Sequence, residues 1–246
     1  AIDVADVNRD GYFDIFTADM LSSDHVKRLI QRTDLRPETL AVGEIDTRPQ
    51  FSRNMLQLNR GDGTYAEIAQ FSGIEASDWT WTPLFLDVDL DGYEDLLVGN
   101  GFERDSMNRD VQSQIDLLSR QRRMRPQEKF DLRRLYPHLN TPNRAFRNLG
   151  NCRFADASKA WGFDAPTISQ GMCLADLDND GDLDVVANNM NGPAGLYRND
   201  SPAPRVAVRL KGRAPNTRGI GAKIEVLGGP VYQSQEMICG GRYCSS

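Results

Sequence analysis

Three nine-residue stretches carry oxygen-bearing side chains at the same places: DVNRDGYFD from Asp6 to Asp14, DVDLDGYED from Asp87 to Asp95, and DLDNDGDLD from Asp176 to Asp184. Positions 1, 3, 5 and 9 present carboxylates or an amide, and position 6 is glycine, which is how a short backbone wraps a hard divalent cation. Carboxylates crowded into one turn repel one another, which raises their pKa values or opens the turn unless a counter-ion is present. The spacing points to Ca2+, with about three ions per chain. The expected ligands are Asp6, Asn8, Asp10, Asp14 and the Tyr12 carbonyl in the first loop, and Asp87, Asp89, Asp91, Asp95 and the Tyr93 carbonyl in the second. In the third they are Asp176, Asp178, Asp180, Asp184 and the Asp182 carbonyl, with water completing each set. The amide at Asn8 makes the first site one charge weaker.

The elements that must hold these loops are strands. An EF-hand opens with the same run of aspartates but needs a bidentate glutamate at position 12 and flanking helices. Position 12 is Thr17, Val98 and Ala187 here, and short apolar runs follow each loop (Ile15 and Phe16, Leu96 to Val98, Val185 to Ala187). TPLFL precedes the second, so the loops read as connections between β-strands.

The loops belong to a larger repeat. Asn54 to Asn100 lies over Asn143 to Asn189 at a constant offset of 89 residues, with Asn59, Gly61, Tyr65, Glu67 and Gly73 meeting Asn148, Gly150, Phe154, Asp156 and Gly162. The first two loops are 81 residues apart, and once insertions of unequal length are removed the unit is roughly 51 residues. A unit of that size with four short strands is a propeller blade, and propellers use roughly four to eight of them. The expected fold class is all-β with helical insertions: a partial β-propeller of about three blades over residues 1–200, interrupted at about 20–53 and 101–142, then a truncated small β-domain over 205–246. The remaining blades would come from a longer chain or an assembly.

The first insertion is polar, with a short helix expected from Asp24 to Thr33. The second carries Val111, Ile115 and Leu118 at helical spacing, then the basic run RQRRMR, then a second helix around Glu128 to Leu135. Its arginines could meet an anionic partner or simply face water and neighbouring carboxylates. After a linker-like SPAPR come three alternating segments, VAVRLKG, IGAKIEVLGG and VYQSQEM.

At 246 residues with 39% hydrophobic content the chain can bury a core, and no apolar run approaches the length of a membrane span. The formal charge of −6 would be cancelled by three dications, and acidity argues against a nucleic-acid partner. The first residues already read as strand, and the chain is expected to be a piece of a longer protein. Four cysteines allow three pairings; Cys152 with Cys173 and Cys239 with Cys244 are the pairs to test, against four free thiols.

The three aspartate loops, NRGDGTYAEI, FRNLGNCRFADASKAWGF, and NTRGIGAKIEVLGG with the following QSQEM resemble the FG-GAP or VCBS-type repeat proteins that carry a C-terminal ASPIC and UnbV segment, a cartilage acidic protein-like group common in secreted or surface proteins of Bacteroidetes-type bacteria. The resemblance covers nearly the whole chain. It implies calcium-binding blades like those of integrin α-subunits, an extracellular or cell-surface setting, and no established catalytic residues. The Cys239 to Cys244 stretch departs from the cysteine-free ending expected of that group.

Two functions are in contention. One is a calcium-stabilised binding or scaffold module whose partner is a glycan or protein; the alternative is a propeller-based lyase or hydrolase acting on polysaccharide. The only histidines, His25 and His138, fall in the insertions, and no GxSxG, HExxH or phosphate loop is present. Carboxylates saturated by calcium are poor general acids or bases. The Arg60 to Asp62 tripeptide overlays LGN of the next repeat and reads as a turn, and Trp79 and Trp81 read as packing residues.

Overall fold

A computed structural model describes residues 1–31, 51–121 and 124–239. The strands are β1 (Ile2–Ala5), β2 (Asp14–Thr17), β3 (Met20–Leu21), β4 (Met55–Asn59), β5 (Tyr65–Glu67), β6 (Asp78–Leu86), β7 (Asp95–Asn100), β8 (Phe102–Arg104), β9 (His138–Leu139), β10 (Arg144–Asn148), β11 (Phe154–Asp156), β12 (Ser169–Ala175), β13 (Asp184–Asn189), β14 (Gly195–Tyr197), β15 (Lys223–Val226) and β16 (Gln233–Glu236). The helices are α1 (His25–Ile30), α2 (Ala69–Ser72), α3 (Arg109–Gln121) and α4 (Pro126–Asp131). The fold is mostly β and propeller-like, a partial ring of antiparallel sheets.

Three sheets repeat one plan. The first runs β1-β2-β4-β5 and the second β6-β7-β10-β11, with β3 added beside β6; the third, β12-β13-β14, has no fourth strand among the described residues. Each aspartate loop is the hairpin between the first two strands of its sheet, and β6 lies against both β1 and β12. That side-by-side placement of first strands is what a propeller requires around its axis.

Between neighbouring sheets lie two apolar seams, which follow from the alternation of the strands. Ala5, Val7 and Phe16 of the first sheet meet Leu96, Val98, Phe146 and Phe154 of the second. Leu84 and Leu97 of the second meet Met172, Val185 and Ala187 of the third, with Phe163. Buried asparagines fasten the end of each seam away from the loops. The Asn54 side chain accepts from the Asp19 N–H at 2.9 Å and donates to Ser77 Oγ at 2.7 Å. Asn143 repeats this, accepting from the Asn100 N–H and donating to Ser169 Oγ, both at 2.9 Å.

The insertions are helical where described. Asp24 caps α1 by accepting the Lys27 N–H, and residues 32–50 fall outside the described set, so the expected end of that helix at Thr33 does too. In the second insertion β8 pairs with β9 at the base, α3 holds Val111 and Ile115 half-buried, and Tyr136 donates its hydroxyl to Gln112. The helix expected from Glu128 to Leu135 is instead α4 followed by a 3-10 turn from Leu132 to Leu135, because Pro126 starts the helix and the Tyr136-Pro137 pair ends it. Arg122 and Arg123 of the basic run lie outside the described residues. Trp79 and Trp81 pack on Phe102, with ring centroids 4.4 and 6.0 Å apart.

One open alternative is decided and one expectation is corrected. Cys152 and Cys173 are free thiols on different sheets; Cys244 lies outside the described residues. Of the three alternating segments in the tail, only the second and third form strands, β15 and β16, while residues 206–211 form none. Among the described residues no helix is long and apolar enough to cross a membrane.

Candidate metal centres

The loops close through their own hydrogen bonds, identically in all three. The position-1 carboxylate accepts from the backbone N–H of positions 5 and 6: Asp6 from Asp10 and Gly11, Asp87 from Asp91 and Gly92, and Asp176 from Asp180 and Gly181, at 2.9 to 3.1 Å. The position-5 carboxylate accepts from the N–H of position 7. These bonds bend the backbone left-handed at position 4, where Arg9, Leu90 and Asn179 have φ of 61°, 57° and 62°, and again at the glycines. At Gly92, φ is 100° and an added Cβ would lie 3.2 Å from the Val231 side chain, so both conformation and space select glycine there.

Position 9 has a different role from the other ligands in the expected set. Asp14, Asp95 and Asp184 are buried, and each carboxylate accepts two backbone N–H groups. One comes from position 2 of the same loop (Val7, Val88, Leu177) at 2.8 to 3.0 Å. The other comes from the asparagine at the end of the third strand (Asn59, Asn148) or two residues past it (Asn199), at 2.8 Å in each case.

Those asparagines then reach between sheets. Asn148 donates its side-chain amide to the Val7 carbonyl of the first loop, and Asn199 to the Val88 carbonyl of the second, both at 2.9 Å. Arg9 of the first loop bridges to the second as well, pairing with Glu94 at 2.8 Å and donating to the Gly92 carbonyl. The loops are therefore joints between sheets as well as turns. Sequence reading used these asparagines only as turn markers; their recurrence at or just past the end of each third strand was the available signal.

The second and third loops gather three acids each. Carboxylate oxygens of Asp87, Asp89 and Asp95 lie within 4.8 Å of one another, as do those of Asp176, Asp178 and Asp184. In the first loop Asn8 takes the middle place and its amide donates to Asp10 at 2.9 Å. Asp91 and Asp180 sit beside these clusters and pair with arginines. Arg147 bonds Asp89 at 2.6 Å and Asp91 at 3.1 Å, and Arg205 bonds Asp180 at 3.3 Å and Asp182 at 2.8 Å.

Burial sets the electrostatics. Desolvation raises the carboxyl of Asp95 to about 8 and those of Asp14 and Asp87 to about 6, each against backbone hydrogen bonds that favour the charged form. Neighbouring loop aspartates push the same way. The Asp89 Oδ1 atom is buried and has no hydrogen-bond partner, while its Oδ2 faces Arg147. An unpaired carboxylate oxygen inside an acid triad is costly unless a cation meets it. The donor set, all oxygen on flexible hairpins, fits a hard dication of the calcium class.

The FG-GAP-like repeat family matches residues 34–98, a stretch that includes the whole second loop. Cartilage acidic protein 1 from mouse and from human is 41% identical over 71 residues, which is 28% of this chain and 11% of each relative. The Xenopus tropicalis protein of the same name is 39% identical over 59 residues, 24% of this chain and 9% of the relative. The matched region is thus about a tenth of the relatives' length. Residues 34–98 thus match an FG-GAP-like repeat, and the chain is similar over 71 residues to cartilage acidic protein 1.

Proposed function

We propose that this chain is a calcium-stabilised extracellular or cell-surface module that binds a glycan or protein partner without catalysing a reaction on it. The unpartnered Asp89 Oδ1 within the Asp87, Asp89 and Asp95 triad carries the calcium part of this reading. The side-chain oxygens of Asp87, Asp89, Asp91 and Asp95, the Tyr93 carbonyl, and their counterparts in the other two loops would hold the ions. A bound ion would neutralise the buried acids and fix the hairpins that Asn148, Asn199 and Arg9 tie together, leaving a rigid surface for a partner. The similarity to cartilage acidic protein 1 supports the extracellular setting.

The reading predicts partners that depend on calcium. Immobilised glycans and extracellular proteins screened with the chain in millimolar calcium and again in excess chelator should give hits that disappear in chelator. Hits of equal strength in both conditions would contradict it, and release of oligosaccharides from a polysaccharide substrate would replace it with a catalytic role.

A further inference from the structure

The third sheet differs from the second in one respect that leaves both a strand edge and a cavity. In the second sheet β11 pairs antiparallel with β10, with Phe154 opposite Asn148, and Phe154 is buried in the first seam. The equivalent of β10 in the third sheet is β14: Tyr197 faces Val185 there as Phe146 faces Leu96. No strand pairs with the other edge of β14 among the described residues.

The sequence explains why. Residues two and four places after Asn59 and Asn148 turn the hairpin with positive φ: Gly61 and Gly63 at 72° and 86°, Gly150 and Cys152 at 75° and 59°. After Asn199 those places are Ser201 and Ala203, flanked by Pro202 and Pro204. Prolines fix φ near −65° and alanine resists the left-handed region, so the chain cannot fold back along β14. The residue at the place of Phe154 is Arg205, and it turns away to Asp182 and the Ser201 carbonyl, both at 2.8 Å.

A cavity of about 490 Å³ opens in the second seam, where the corresponding part of the first seam is filled. Leu86, Val88, Leu97, Trp161, Phe163 and Tyr197 line it. Leu86, Val88 and Leu97 occupy the repeat positions of Ala5, Val7 and Phe16, the residues that Phe154 meets in the first seam.

We propose that β14 and this cavity form a docking site for an extended segment of a partner polypeptide, which adds antiparallel to β14 and inserts a phenylalanine-like side chain between the second and third sheets. Strand addition supplies main-chain hydrogen bonds and the pocket supplies selectivity for the anchor. The chain's own β11 is the template for the partner's chemistry: an extended run with one bulky apolar residue opposite Asn199.

The test uses the 246-residue chain and a peptide of residues 151–158 carrying Cys152→Ser. Titration followed by backbone amide NMR should give saturable shifts centred on Tyr197, Arg198 and Asn199, with a Kd of about 10⁻⁴ M. The same peptide with Phe154→Ala should bind at least about tenfold more weakly, because the anchor's burial is lost. Three results would overturn the proposal: no shifts at millimolar peptide, equal binding by the alanine peptide, or a dimer in light scattering whose interface protects β14 from hydrogen exchange.

Discussion

Removing calcium should lower the melting temperature of this chain by about 10 to 20 °C relative to 10 mM calcium, taking three sites with dissociation constants of about 10⁻⁴ to 10⁻³ M. The direction of the pH dependence should also reverse. A carboxyl whose folded pKa lies above its unfolded value holds more protons in the native state, so it stabilises the fold below the unfolded pKa and loses that contribution as pH rises through the folded one. Asp14, Asp87 and Asp95 are all raised by burial, the last to about 8. Without the ion, stability should therefore fall as pH rises from about 4 to about 8. With calcium, deprotonation is coupled to binding, and stability should hold or rise across the same window. Scanning calorimetry at several pH values in calcium and in chelator measures both effects; coincident curves would contradict the account.

The second large effect is expected at Asp95. Asp95→Ala strips the partner from the Val88 and Asn148 N–H groups, which now bond its carboxylate at 2.9 and 2.8 Å in a site with no solvent exposure. Two buried donors left unsatisfied cost about 3 to 5 kcal/mol together. The hairpin and the third strand of the second sheet should part, and Asn148 should lose its hold on the Val7 carbonyl. Denaturant unfolding should show that loss, with one fewer calcium bound per chain. A change under 1 kcal/mol with unaltered stoichiometry would mean that position 9 is neither the pin nor a ligand.

What the sequence made legible was local. The aspartate spacing and the apolar runs beside each loop identified the hairpins, because those signals lie within a few residues of the structures they produce, and their recurrence at an offset of 89 residues identified the repeated sheets. Left-handed backbone at Arg9, Leu90 and Asn179 carried no signal, since three unrelated side chains adopt it under the pull of the position-1 carboxylate. The distinction between position 9 and the other aspartates was equally hidden, because it depends on a strand 45 residues away in the first sheet and 53 in the second. Residues 206–211 alternate like a strand yet form none, because Pro202 and Pro204 leave no return path beside β14. The choice between a Cys152–Cys173 bridge and free thiols was hidden for a similar reason: parity says nothing about which sheet each thiol occupies.

The pairing of Arg147 with Asp89 and Asp91 bears on how the second loop meets its ion. A cation already sits beside two of the expected ligands, while Asp89 Oδ1 has none. The carboxylate can thus serve both, Oδ2 toward the guanidinium and Oδ1 toward the metal. Two cations sharing one carboxylate weaken each other's binding, which agrees with the modest affinity assumed above.

The most direct measurement is the anomalous scattering from crystals grown in calcium. The account predicts three peaks, one per loop, each within about 2.3 to 2.6 Å of oxygens from positions 1, 3 and 5, the position-7 carbonyl and position 9. Density at none of the loops in calcium-saturated crystals, or ions held by water alone, would contradict it.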